Sequence, residues 1–95
     1  MLSEHDKMAI IQTASQYGVS KVLLFGSSVA LEQEGRDIDI AIEGIPANLF
    51  FKFYGELIFK VSKPLDLVDL SQRNAFTEVV RQEGIVLYER SQNPS

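Results

Sequence analysis

Between Asp37 and Glu43 the chain alternates strictly, with Ile38, Ile40 and Ile42 on one side and Asp37, Asp39 and Ala41 on the other. Successive side chains of a strand point to opposite faces, so this segment reads as a strand with one apolar face and one face carrying two carboxylates. Strand sequences normally avoid aspartate, which competes for backbone hydrogen bonds and is costly to bury. The spacing of Asp37 and Asp39 sets their side chains close together on one face, and their repulsion disfavours joint ionisation unless a cation sits between them. This one segment therefore calls for a sheet with a core on one side and invites a divalent metal on the other.

The rest of the chain supplies the partners of that strand. Ser3 and Asp6 form a capping-box pattern that opens a helix through about Gln16, with Met8, Ile11 and Ala14 on one face and Gly18 as its stop. Val19 to Phe25 reads as a strand, and its run Val22-Leu23-Leu24-Phe25 is continuously apolar, as expected of a strand covered on both faces. Gly26-Ser27-Ser28 is a turn, with a short helix expected after it. Gly44 and Pro46 end the alternating strand, Pro46 starts a helix to about Ser62, and Pro64 prevents its continuation. Leu65 to Leu70 is a third strand, Asn74 caps a helix through Gln82 with Gly84 as its stop, and Ile85 to Tyr88 is a short fourth strand. The order α-β-α-β-α-β-α-β predicts an α/β (α+β) fold, a small mixed sheet of about four strands with helices packed on it. Residues 1–90 are expected to form one domain, with 91–95 a polar, frayed tail.

Composition narrows the chemistry. With no cysteine and a single histidine, His5, there is neither a disulfide framework nor a thiolate or histidine-rich zinc site, so any metal must be held by oxygen. A net charge of −4 with scattered basic residues argues against a phosphate-tracking surface, making nucleic acid an unfavoured partner. The most apolar stretch, Leu49 to Val61, is interrupted by Lys52, Glu56 and Lys60 and is too short and charged to span a bilayer. The opening Met-Leu-Ser-Glu-His-Asp lacks the basic-then-apolar run of a secretory signal, which makes cytoplasmic residence the expectation.

Asp66 lies in the third strand and supplies a further ligand if that strand pairs beside the one bearing Asp37 and Asp39. Asp69, three residues on, points the opposite way, toward the face shared by Leu65 and Leu67, which favours Asp66. Three converging carboxylates suit Mg²⁺, which prefers oxygen ligands and takes its remaining ligands from water and substrate phosphates. Gly26-Ser27, at the end of a buried strand and the start of a helix, meets a second requirement. Glycine lets backbone approach a phosphate, Ser27 and Ser28 offer hydroxyl donors, and free N–H groups at a helix start favour an anion. A Gly-Ser turn or an Asp-x-Asp strand is weak evidence by itself; their conjunction in order, each on a strand or just after one, carries the reading.

Phe25-Gly26-Ser27-Ser28, then Arg36-Asp37-Ile38-Asp39-Ile40, then Leu65-Asp66-Leu67-Val68-Asp69-Leu70 resembles the Gly-Ser, Asp-x-Asp, Asp signature of polymerase-β-type nucleotidyltransferases. The closing Arg81-Gln82-Glu83-Gly84-Ile85-Val86-Leu87-Tyr88 is similar to the end of the minimal subgroup, the MNT-type antitoxins. The resemblance implies that Gly26 and Ser27, with Ser28 beside them, hold the phosphates of a nucleoside triphosphate such as ATP. It implies that Asp37 and Asp39 hold two Mg²⁺ ions, and that Asp66 holds the catalytic ion and serves as or beside the base. In antitoxin members the acceptor is a tyrosine hydroxyl of a partner HEPN-domain toxin, silenced by transferred AMP, so the resemblance implies an enzyme acting as an antitoxin.

One departure keeps a second reading open. Many members carry Ala-Arg-Gly soon after the Gly-Ser, whereas this chain has Val29-Ala30-Leu31-Glu32. Loss of that arginine favours a catalytically inactive module that neutralises a toxin by occlusion. Either reading needs a partner, and the middle helix offers a surface. Its charges, Lys52, Glu56, Lys60 and Lys63, fall on one stripe, so Phe50, Phe51, Phe53, Tyr54 and Phe59 exceed what so small a core can bury. An exposed apolar patch there predicts a homo-oligomer or hetero-partner contact.

Overall fold

A computed structural model describes residues 2–26 and 37–90. The short helix expected after Ser28, the side chains of Ser27, Ser28 and Arg36, and the tail 91–95 lie outside the described residues.

Helix α1 (Glu4–Gln16) opens at Ser3, whose hydroxyl accepts the Asp6 amide at 3.1 Å. Only this half of the expected capping box forms with Ser3 as the cap, because the Asp6 carboxylate turns elsewhere. It is fully buried and accepts the amide and hydroxyl of Ser62 at 2.9 and 2.6 Å, tying the first turn of α1 to the chain leaving the second helix. The buried face of α1 is accordingly Asp6, Ile10, Thr13 and Ala14, and Met8 is half exposed, which corrects the expected face of Met8, Ile11 and Ala14. The polar residues Asp6 and Thr13 occupy core-facing positions, so a count of apolar residues alone misplaces the stripe by a fraction of a turn.

Burial by itself would raise the Asp6 carboxyl, but hydrogen bonds from Ser62, with smaller help from Ser3 and His5, outweigh it and hold the group below its ordinary value. A carboxylate lowered in the folded state stabilises above its unfolded value and loses that contribution as pH falls through the lowered one. Asp6→Asn is therefore expected to destabilise the protein by about 1–3 kcal/mol at neutral pH. Urea unfolding should show this gap closing as pH drops below the ordinary value of 3.8.

Strands β1 (Lys21–Leu24), β2 (Ile38–Glu43), β3 (Leu65–Asp69) and β4 (Ile85–Glu89) form one mixed sheet in the order β3-β2-β1-β4. β1 pairs antiparallel with both β2 and β4, while β2 and β3 run parallel. A parallel pair cannot be joined by a tight turn, and helix α2 (Ala47–Lys60) provides the crossover. It starts after Pro46 and ends at Lys60, two residues before the expected Ser62. Val61 adopts an extended backbone, and the Ser62 amide, which would otherwise continue the helix, is taken by Asp6.

The alternation of β2 divides the core in two. Ile38, Ile40 and Ile42 face Ile10 and Ala14 of α1 and Phe53 and Leu57 of α2. Ala41 faces the other way and packs with Leu23, Leu70 and Val80 of helix α3 (Ala75–Glu83). β1 is thus covered on both faces as expected, with Val22 in one cluster and Leu23 in the other. Burying side chains of the size of Phe53 or Leu57 stabilises by about 1.5–3 kcal/mol each.

α3 starts at Asn74, whose side chain accepts the Thr77 amide while the Thr77 hydroxyl accepts the Asn74 amide, a complete capping box. It ends at Gly84, where close packing rather than a left-handed backbone explains the glycine: an added Cβ would lie 2.7 Å from the Val80 carbonyl and 3.2 Å from the Leu23 side chain. Arg81 fastens the helix to the sheet, donating to Glu43 at 2.6 Å and to the Leu70 carbonyl. No helix among the described residues is long and apolar enough to cross a membrane.

Candidate active site

Because Ala41 packs under α3, Asp39, two residues earlier on β2, shares that face. The parallel register sets Asp39 opposite Asp66 and Ala41 opposite Val68, so Asp66 stands beside Asp39 on the neighbouring strand. Directly opposed positions on adjacent strands keep side chains within about 5 Å at the Cβ atoms. Asp39 is half-buried and Asp66 exposed, a graded opening toward solvent that suits a site a substrate must reach. Asp69 is opposite Ile42 in register and accepts the Ser71 amide at 2.9 Å, so it closes the turn after β3.

The end of β1 brings Gly26 to the same place. The Phe25 amide donates to the Asp39 carbonyl at 3.1 Å, and Gly26 then takes a left-handed backbone with φ of 61°. A Cβ at this position would lie 2.6 Å from an Asp39 carboxylate oxygen. No side chain fits there without displacing the carboxylate, so glycine is demanded by both backbone and space. Ser27 and Ser28, read with Gly26 as phosphate-binding, lie outside the described residues.

Asp39 and Asp66 stand side by side, but Asp37 sits just before β2 and is exposed. Among the described residues no three such groups are close enough to hold a metal ready-made. The oxygen donors of Asp39 and Asp66, on adjacent strands with a glycine cradle beside them, fit a hard cation such as Mg²⁺ that completes its shell from water and phosphate.

Beyond Gly26 the sheet face runs into a cavity of about 370 Å³ lined by Phe25, Gly26, Phe76, Val79, Val80 and Glu83. The Phe25 and Phe76 rings meet edge to face at 5.9 Å. Sequence reasoning missed these residues. Phe76, Val79 and Val80 do share a side of α3 at helical spacing, but nothing local says which part of the sheet α3 crosses.

The crossover, the sheet order and the aspartates across two parallel strands make this a nucleotidyltransferase-type fold. The chain belongs to the family described as "Polymerase beta, Nucleotidyltransferase", which matches residues 8–93. Among solved structures, one described as a toxin-antitoxin with AMP-PNP aligns with a TM-score of 0.72 at 24% identity, over 90% of this chain and 75% of its own. A mutant of the toxin-antitoxin MntA-HpeT gives 0.71 at 21% identity, with coverage of 90% and 75%. The toxin-antitoxin MntA-HepT gives 0.69 at 20% identity, with coverage of 93% and 74%. At these identities the likeness establishes the fold. No curated protein matches the chain.

Proposed function

We propose that this chain is a Mg²⁺-dependent nucleotidyltransferase that transfers AMP from ATP to a hydroxyl of a partner protein, a tyrosine of a HEPN-type toxin, and so acts as a cytoplasmic antitoxin. The observation that carries this reading is the in-register pair of Asp39 and Asp66 with Gly26 pressed against the Asp39 carboxylate. Asp37, Asp39 and Asp66 would hold the metal, and Gly26 with Ser27 and Ser28 the phosphates. Bound Mg²⁺ supplies neutralisation of phosphate charge and a lowered pKa for the attacking hydroxyl.

In the transfer, the acceptor oxygen forms a bond to the α-phosphorus as that phosphorus parts from the α,β-bridging oxygen. Pyrophosphate leaves with the bonding electrons, and the acceptor proton passes to a carboxylate, Asp66 in this reading. Much of the acceptor site must come from the partner, since so small a chain has little surface for it. Phe51 and Phe59 on α2 are 79% and 90% exposed and support a partner on that side, whereas Phe53 beneath them is buried. Light scattering of the isolated chain should then show self-association through this face or, with the toxin present, a mixed complex.

The test is incubation of the chain with α-labelled ATP, Mg²⁺ and a co-encoded HEPN-type protein. Label should appear on the partner; its absence contradicts the proposal. The alternative, an inactive module that occludes the toxin, draws support from Val29-Ala30-Leu31-Glu32 in place of the family's Ala-Arg-Gly. It predicts that toxin neutralisation survives Asp39→Asn, whereas the enzymatic reading predicts its loss.

A further inference from the structure

The cavity between the end of β1 and α3 shares Gly26 with the proposed metal and phosphate site, and its other described lining residues, Phe25, Phe76, Val79, Val80 and Glu83, are not used there. Gly26, which lines the cavity, also packs against the Asp39 carboxylate. We propose that this cavity receives the base of the nucleoside triphosphate and that Glu83 favours a base with an exocyclic amine, as in adenine or cytosine, over uracil. The inference rests on the nucleotidyltransferase reading and adds the base subsite and its selectivity.

Its lining suits a flat, mostly apolar group. Phe25 and Phe76 set two rings at 79° to each other, so a planar base can lie against one face while touching the edge of the other. Val79 and Val80 complete the apolar wall, and its volume of about 370 Å³ falls in the range of small-ligand pockets. Phe76 and Val79 are 53% and 51% exposed, apolar surface that an entering base would cover. Among the described residues that line the cavity, Glu83 carries the charge. An ionised carboxylate accepts hydrogen bonds and cannot donate, so it pairs with an amino group and repels the carbonyl oxygen that uracil presents at the equivalent position. The same charge keeps phosphate out of the cavity. A nucleotide therefore enters base first, leaving its phosphates toward Gly26 and the metal-binding carboxylates.

Titration calorimetry with Mg²⁺ and three probes tests this: α,β-methylene-ATP, α,β-methylene-UTP and tripolyphosphate. The ATP analogue is expected to bind tightest and tripolyphosphate weakest. Phe76→Ala should weaken the ATP analogue roughly tenfold while leaving tripolyphosphate unchanged, since stacking on an aromatic ring is worth about that much. Glu83→Gln, which adds an amide donor able to pair with a carbonyl, should narrow the gap between the ATP and UTP analogues severalfold. Both positions are exposed, so these variants should fold, and circular dichroism checks this. If nucleotides bind no more tightly than tripolyphosphate, or if Phe76→Ala leaves the ATP analogue unaffected, the base subsite is overturned while the phosphate site stands. An unchanged ATP-to-UTP gap in Glu83→Gln overturns the selectivity. Failure of the wild-type chain to bind any of the three overturns the nucleotidyltransferase reading and the subsite with it.

Discussion

Asp39→Asn should lower label transfer to the partner by on the order of a hundred- to a thousandfold while the protein stays folded. The amide is nearly isosteric, so β2 keeps its register with β1 and β3, and Ile38 and Ile40 stay in the core. What is lost is one of two opposed carboxylate charges, and with it the attraction that brings a hard cation between the strands. Asp66→Asn should act in the same direction. Asp69→Asn should cost some stability at the turn after β3, where Asp69 accepts the Ser71 amide, and leave transfer untouched. Initial rates of label transfer, with circular dichroism as the folding control, measure all three.

Gly26→Ala carries the second large effect. A non-glycine residue with φ of 61° is strained by about 1–2 kcal/mol, and the new methyl group collides with the Asp39 carboxylate only 2.6 Å away. Relief requires either the carboxylate or the turn to move. Displacements of about 1 Å in a positioned catalytic group can lower rates around a hundredfold, so activity should fall further than stability does. Gly55→Ala is the control. Gly55 lies inside α2 with nothing within 4 Å of an added Cβ, so alanine there should raise stability by about 0.5–1 kcal/mol through helix propensity, measured by urea unfolding of the isolated chain. Transfer that falls no further than stability does in Gly26→Ala would mean that the Gly26 turn has no special relation to Asp39.

What the sequence made legible follows from short-range periodicity. The alternation along β2 assigned Ile38, Ile40 and Ile42 to the core and Asp39 to the opposite face, and that division holds across both hydrophobic clusters. The same rule separated Asp66 from Asp69 before their strand had a known neighbour. Caps and stops at Ser3, Asn74 and Gly84 also fell where local chemistry set them.

The rest depends on contacts between distant parts of the chain. α2 ends early because Asp6, 56 residues away, takes the Ser62 amide, and no window around Ser62 contains that fact. The buried face of α1 was misread for the same reason, since Asp6 and Thr13 look like surface residues until their partners Ser62 and Lys60 are in place. The placing of β4 beside β1, and of α3 across the face that carries Asp39, likewise emerges only when the sheet assembles. Hence the shared face of Asp39 and Asp66 could be read in advance, and the cavity at Phe25 and Phe76 could not.

The central claim is that Asp39 and Asp66, across two parallel strands, jointly hold a divalent cation with a nucleotide. Electron paramagnetic resonance of Mn²⁺ titrated into the chain with a non-hydrolysable ATP analogue tests it most directly. Tight Mn²⁺ binding should appear in the wild type and in Asp69→Asn, and should be lost in Asp39→Asn and Asp66→Asn alike. Undiminished binding in Asp66→Asn, or loss confined to Asp69→Asn, would contradict the claim.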